Sequence, residues 1–193
     1  MTNGDKINKL SDEQVNSLLE TDSDQNAEKI KILIVEDDYT TQLLYEKGLL
    51  NLVFEKKMAS SGKEGLLIYN EWHPDIIVLD IQMPEMTGDQ VLKEIRTTSD
   101  DKKTTIVMAT SRSSSNDVMS CMKMGIEGYV VKPFSLREIG TKILSYYAKK
   151  EPLRAQKAEI LHQETLKQSS MRLLLGEGKS ETKEDINERF EQR

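Results

Sequence analysis

Three carboxylates, Glu36, Asp37 and Asp38, stand side by side directly after the apolar run "KILIV". A fourth, Asp80, closes "DIIVLD"; Thr110 and Ser111 close "TTIVMATS"; and Lys132, followed by Pro133, closes "GYVV". Adjacent like charges beside a buried strand repel and lose hydration, so they need a cation or open water. Hard carboxylate oxygens suit Mg²⁺, which is held by one or two direct carboxylates plus waters and phosphate oxygens. A lysine and a hydroxyl opposite them suit a phosphoryl group, because both donate to its oxygens. A carboxylate can also be the nucleophile that accepts phosphorus as an aspartyl phosphate. The competing reading is a chance crowd of charges at loop ends, or a structural ion-pair network. Taken singly, each residue favours that blander reading. What decides is whether the elements carrying them bring them together.

Those elements follow a regular rhythm from residue 30. "KILIV", "DIIVLDI" and "TTIVMAT" are short unbroken apolar runs, as expected of strands buried on both faces, with weaker strands in "FEKKMAS" and "GYVV". Between them, "YTTQLLYEKGLLN", "GKEGLLIYNEW", "TGDQVLKEIRTT" and "SSSNDVMSCMKMG" read as helices, the last ending at Gly125, and "SLREIGTKILSYYAKK" reads as a fifth helix with Ser135 as N-cap. Alternation of this kind predicts an α/β fold: a doubly wound, flavodoxin-like, five-stranded parallel sheet of order 2-1-3-4-5 with helices on both faces. In such a sheet ligands sit at the carboxyl ends of the strands, and every residue named above follows a strand.

The set as a whole resembles the receiver domain of two-component response regulators over about residues 29–150. The resemblance rests on "KILIVEDD", "PDIIVLDIQMPEMTG", "IVMATS" and "GYVVKPF", with Thr110 and Lys132 lying 30 and 52 residues after Asp80, as in the chemotaxis-type members. It implies that Asp80 is the phosphoacceptor. It also implies that Glu36 and Asp37 position Mg²⁺ with Asp80 and the backbone carbonyl of Gln82, Asp37 being the direct ligand of the acidic pair. Asp38 is then the outward-facing third acid and a helix cap. Lys132 is the phosphate-binding lysine, aimed by a cis peptide to Pro133. Thr110 is the switch hydroxyl and Tyr129 the aromatic that changes rotamer with it, while Gln82 and Arg112 tune how long the phosphate lasts. Ser111 is a mild departure where many members carry Ala or Gly. The implied partners are a sensor histidine kinase or phosphotransfer protein, and a downstream protein reading the face made by the fourth helix, fifth strand and fifth helix. Two copies pairing on phosphorylation is a further expectation.

Composition bounds the rest. The 193 residues carry 27 basic and 33 acidic side chains; residues 1–28 hold 2 and 7, residues 29–150 hold 17 and 17, and residues 151–193 hold 8 and 9. The N-terminal segment is therefore acidic, and no segment is basic enough to argue for nucleic acid. One cysteine, Cys121, excludes an internal disulfide and fits a reducing compartment; neither a signal peptide nor an apolar membrane span is read, so a cytoplasmic protein is expected. The expected organisation is an acidic, disordered arm (1–28), with at most a helical turn or two in "VNSLLE", a receiver domain (29–150) and a helical or partly disordered tail (151–193). The tail's apolar spacing is ragged, neither a heptad nor a clean amphipathic face, with a short helix in "EDINERF". "GEGKS" (176–180) lacks the first glycine of a phosphate-binding loop, Leu173 standing there; His162 reads as a lone surface histidine and His73 as structural. No enzymatic output domain is seen. The expected output is protein–protein contact; the alternative is a transcriptional regulator with an unrecognised DNA-binding element or a separate effector chain.

Overall fold

The computed structural model describes residues 29–99, 101–111 and 122–174. Five strands, β1 (Ile30–Val35), β2 (Phe54–Ala59), β3 (Ile76–Asp80), β4 (Thr105–Thr110) and β5 (Gly128–Val131), form one parallel sheet in the order β2-β1-β3-β4-β5. This is the predicted flavodoxin-like architecture. The described helices are α1 (Tyr39–Gly48), α2 (Gly62–Trp72), α3 (Gly88–Lys93), α4 (Ile139–Tyr147) and α5 (Pro152–Leu174). The helix read over 113–125 falls largely outside the described residues, as do the arm, "EDINERF" and Arg112.

β3 and β4 are buried along their whole length, which is why they read as unbroken apolar runs. Their side chains alternate between two cores. Ile32, Ile34, Val78, Val107 and Val130 pack with α1 and α4 residues on one face. Leu33, Val35, Leu79, Ile106 and Met108 pack with Tyr69, Val91 and Leu92 on the other. Helix starts follow local chemistry: the Asp38 carboxylate accepts from Thr41 N at 2.7 Å, and the Ser61 hydroxyl accepts from Glu64 N at 3.2 Å. Gly125, at φ +86°, provides the left-handed stop expected from the sequence, with its N–H on the Met122 carbonyl.

Three local readings change. α3 does not run on as an α-helix: Glu94–Thr98 widens into a π-helical turn in which Ser99 N donates to the Glu94 carbonyl. Arg96 in that turn donates to the carbonyls of Gly125, Asp101 and Thr104 and to the Glu127 carboxylate. α4 begins at Ile139 rather than Ser135, the intervening residues forming a turn in which the Ser135 carbonyl accepts from Ile139 N at 3.0 Å. On α1 the buried face is Tyr45, Gly48 and Leu49, while Leu43 is exposed.

The ragged tail has a simple explanation. α5 starts on Pro152, whose missing N–H costs nothing at a first helical position. It then returns antiparallel along α4: the Arg154 guanidinium sits 5.8 Å from the Tyr147 ring, and eight residues on the His162 ring lies against Gly140. Ala155 and Ala158 join the core, and His162 is 1% exposed, not a surface histidine. A Cβ at Gly140 would lie 2.5 Å from His162 Cε1, so the close approach requires glycine there. Arg154 also pairs with Asp75 at 2.9 Å. The compact unit carrying the sheet ends at His162, and residues from Gln163 form a second unit. A chain ended after residue 151 is expected to be about 3 kcal/mol less stable to urea than one ended after 162, from the lost burial of Ala155, Ala158 and Ile160. Equal midpoints and slopes would show that the helical return contributes nothing.

Candidate functional site

Because all five strands are parallel, their carboxyl ends share one edge, and the predicted residues meet there. Glu36 follows β1 and is 1% exposed; Asp80 ends β3 and is 6% exposed; Asp37 is exposed. One carboxylate oxygen from each lies within 4.8 Å of the others. Lys132, one residue past β5, bridges two of them, with Nζ 2.5 Å from Glu36 Oε2 and 2.8 Å from Asp80 Oδ2. Its backbone N–H donates to the Thr110 carbonyl at 2.8 Å, and the Lys132–Pro133 peptide is cis. Thr110, 1% exposed, ends β4 beside them. Gln82 N donates to Asp80 Oδ1 at 3.3 Å, and Gln82 and Asp37 line the same open cavity of about 580 Å³. Tyr129 lies lower on β5, half-buried, with its carbonyl accepting from the Tyr146 hydroxyl at 2.9 Å.

The electrostatics are those of two buried carboxylates sharing one ammonium. Burial pushes the Glu36 carboxyl up to about 7, against the hydrogen bond from Lys132 and with added repulsion from Asp80. Burial alone would lower the Lys132 ammonium, but the bonds to Asp80 and then Glu36 outweigh it and raise it. Glu36 Oε1 is buried without a hydrogen-bond partner among the described residues. An orphaned carboxylate oxygen beside two further hard oxygens is the donor set that a small divalent cation takes.

Some supports were not anticipated from the sequence. Gln42 Nε2 donates to the Glu36 carbonyl at 2.6 Å, one turn into α1 from the acids. Below it the Tyr45 ring packs on Phe134, with ring centres 4.5 Å apart, linking α1 to the segment after Lys132. Gly88 lets the start of α3 approach the end of β3, donating its N–H to the Ile81 carbonyl at 3.1 Å. Gln42 carried no signal beyond lying one helical turn after the acidic run.

A family model described as the response regulator receiver domain matches residues 32–144. The chain belongs to the response regulator receiver family. Within that family it is similar to the "Probable transcriptional regulator ycf27" of Pyropia yezoensis, 36% identical over 118 residues that cover 61% of this chain and 47% of that protein. It is also similar to the "Regulatory protein AtoC" of Escherichia coli (strain K12), 30% identical over 132 residues covering 68% of this chain and 27% of that protein. The chain therefore spans about half the length, or less, of these curated relatives. Among solved structures, the receiver fold superposes on chemotaxis protein CheY4 of Vibrio cholerae with a TM-score of 0.53 at 30% identity, covering 56% of this chain and 90% of that one. It superposes on a chain of the CheX-CheY-BeF3-Mg+2 complex of Borrelia burgdorferi with a TM-score of 0.57 at 26% identity, covering 61% of this chain and 89% of that one. Receiver domains are signalling modules of two-component systems. No helix among the described residues is long and apolar enough to cross a membrane.

Proposed function

We propose that this receiver takes a phosphoryl group onto Asp80 from a phosphohistidine on a sensor kinase or phosphotransfer protein. The observation that carries this reading is the Lys132 ammonium bridging Asp80 and Glu36 at the open edge of the sheet. An Asp80 carboxylate oxygen attacks phosphorus, the P–N bond breaks, and the imidazole leaves with a proton. Lys132 is positioned to follow the new phosphoryl oxygens while keeping its hold on the carboxylate side. The Thr110 hydroxyl, at the neighbouring strand end, is the second donor within the fold's reach. Glu36, Asp37, Asp80 and the Gln82 carbonyl are the groups that would hold Mg²⁺, which supplies neutralisation of the charge gathering on the transferred group. A BeF3–Mg+2 complex of the similar Borrelia chain supports that choice of cation.

Output follows from repacking near Thr110 and Tyr129 on the face made by residues 122–125, β5 and α4, read by a protein partner. A DNA-binding reading is favoured by one observation: curated relatives in which the matched region is about half the chain are named transcriptional regulators. A salt-dependent shift of DNA mobility would support it. The proposed organisation extends the receiver through residue 162, with the acidic arm before it and the remaining tail after it, in a cytoplasmic protein.

Incubation with acetyl phosphate and Mg²⁺, followed by peptide mapping, is expected to place the label on Asp80. Label on Asp37 or Asp38, or none, overturns the assignment. Proton linkage gives a second expected result. Mg²⁺ requires the Glu36 carboxylate, so its affinity should rise about tenfold per pH unit below about 7 and level off above it, with proton release seen by calorimetry in two buffers. The sign also holds for stability. A carboxyl raised in the fold binds its proton more tightly there than when unfolded, so metal-free stability falls as pH rises from 4.5 towards about 7.

A further inference from the structure

Phosphoryl transfer leaves one buried titratable group without a role. His162 on α5 is 1% exposed, and its Nδ1 and Nε2 are both buried without a hydrogen-bond partner among the described residues. A neutral imidazole can donate from one nitrogen and accept at the other, so a ring making neither bond is held by packing alone. That packing is close. A Cβ at Gly140 of α4 would lie 2.5 Å from Cε1, 2.9 Å from Nε2 and 3.2 Å from Nδ1. The edge of the ring that carries both nitrogens therefore points into the seam between the two helices.

Protonation turns both nitrogens into donors and adds a charge, which in a buried seam needs a carboxylate or water. The elements packed here supply neither. Around Gly140, Arg137, Glu138 and Lys142 are exposed. On α1, in the same core, Glu46 and Lys47 are exposed and Glu46 already pairs with Lys56. On α5, Glu159 lies one turn before His162, and burial alone raises its carboxyl, so it is not paired with the ring. The buried neighbours on α4, Ile143 and Leu144, are apolar. Burial is likewise the single cause that pushes the His162 imidazolium down. The helix is also lightly held beyond its first turn. The Arg154–Asp75 pair anchors its start, Ala155, Ala158 and Ile160 are its buried side chains along the way, and the compact unit ends at His162 itself.

We propose that His162 is a proton-operated latch: the neutral ring seats α5 on α4, and charging the ring frees the helix from residue 155 onward. Each opening takes up one proton. A group whose value is depressed in the fold stabilises the seated helix fully above its ordinary value of 6.5, and that stabilisation is lost as pH falls towards the lower value the fold imposes. In that window seating weakens about tenfold per pH unit of acidification. The sign is opposite to that of Glu36, whose contribution is lost as pH rises. The opened helix presents Ala155, Ala158 and Ile160 and uncovers Gly140, a surface that is closed when the ring is neutral.

The test uses the full metal-free chain, whose two histidines give a simple ring spectrum. NMR from pH 8 to pH 5 is expected to show the His162 ring titrating below 6.5, with the amide signals of residues 155–162 and 140–144 changing at the same midpoint. Exchange protection of 155–162, corrected for the intrinsic rate, should fall about tenfold per pH unit across that window. In His162→Gln, which occupies the seam and cannot take a charge, the protection is expected to stay flat over the same range. A ring that titrates at 6.5 or above, or one that titrates without moving 155–162, overturns the latch. So does an undiminished pH dependence in His162→Gln. The titration of the parent chain needs no substitution, so the latch is decided even where glutamine disturbs the seam. None of these readouts involves Asp80, so the result stands apart from the phosphoryl-transfer proposal.

Discussion

Asp80→Asn is expected to take up no phosphoryl group from acetyl phosphate under conditions that label the parent chain fully, a loss on the order of 10³-fold or more. Asparagine keeps the shape of the side chain and an oxygen that can accept from Lys132, so the local frame survives. The charge is what disappears. Asp80's charge is one of the causes that raise the Glu36 carboxyl, so its removal leaves Glu36 paired with Lys132 and more readily ionised. Thermal stability without metal should therefore hold or rise while labelling vanishes. Mass spectrometry of the intact protein and a melting curve read the two effects separately. Persistent Mg²⁺-dependent labelling of this variant would remove Asp80 from the role proposed for it.

The second large effect is at a residue with no side chain. A Cβ on Gly88 would sit 2.2 Å from the Asp80 carbonyl oxygen and 3.1 Å from Ile81 Cα. Both are backbone atoms at the end of β3, with no flexible tip to swing aside. Gly88→Ala is expected to destabilise the fold by about 3 kcal/mol. It should also slow labelling at Asp80 about 100-fold, because a displacement of about 1 Å at the reacting carboxylate is costly. Urea titration and initial labelling rates check the pair. An alanine variant with parental stability and rate would show that α3 can shift without moving Asp80.

The parallel sheet and its order were legible because burial on both faces forces unbroken apolar runs in β1, β3 and β4. The site was legible for a related reason: parallel strands put Glu36, Asp37, Asp80, Thr110 and Lys132 at one edge with no need to know the loops. The return of α5 along α4 was not legible. Its contact stripe is Ala155, Ala158 and His162 against Gly140 and Tyr147, and reading only large apolar residues passes over alanine and treats a histidine as polar surface. His162 is buried with both ring nitrogens unpartnered among the described residues, and burial pushes its imidazolium down. Propensity could not reveal that, because the cost is set by the neighbour across the groove. The widening of α3 at Glu94–Thr98 was hidden similarly: the Arg96 guanidinium finds acceptors at Gly125 and Glu127, distant in sequence.

The hairpin of α4 and α5 has an engineering consequence. With a bare α-carbon facing the His162 imidazole at Gly140, the two helices are already as close as they can come at that point. A larger residue at 140 can only push that ring away, so this point of the seam offers no room for strengthening by filling. Reinforcement has to come from the connector at 148–151, or from giving the stranded ring nitrogens of His162 something to bind. The same geometry makes position 140 a place where a single added methyl acts as a lever, displacing the His162 ring without touching the reactive edge.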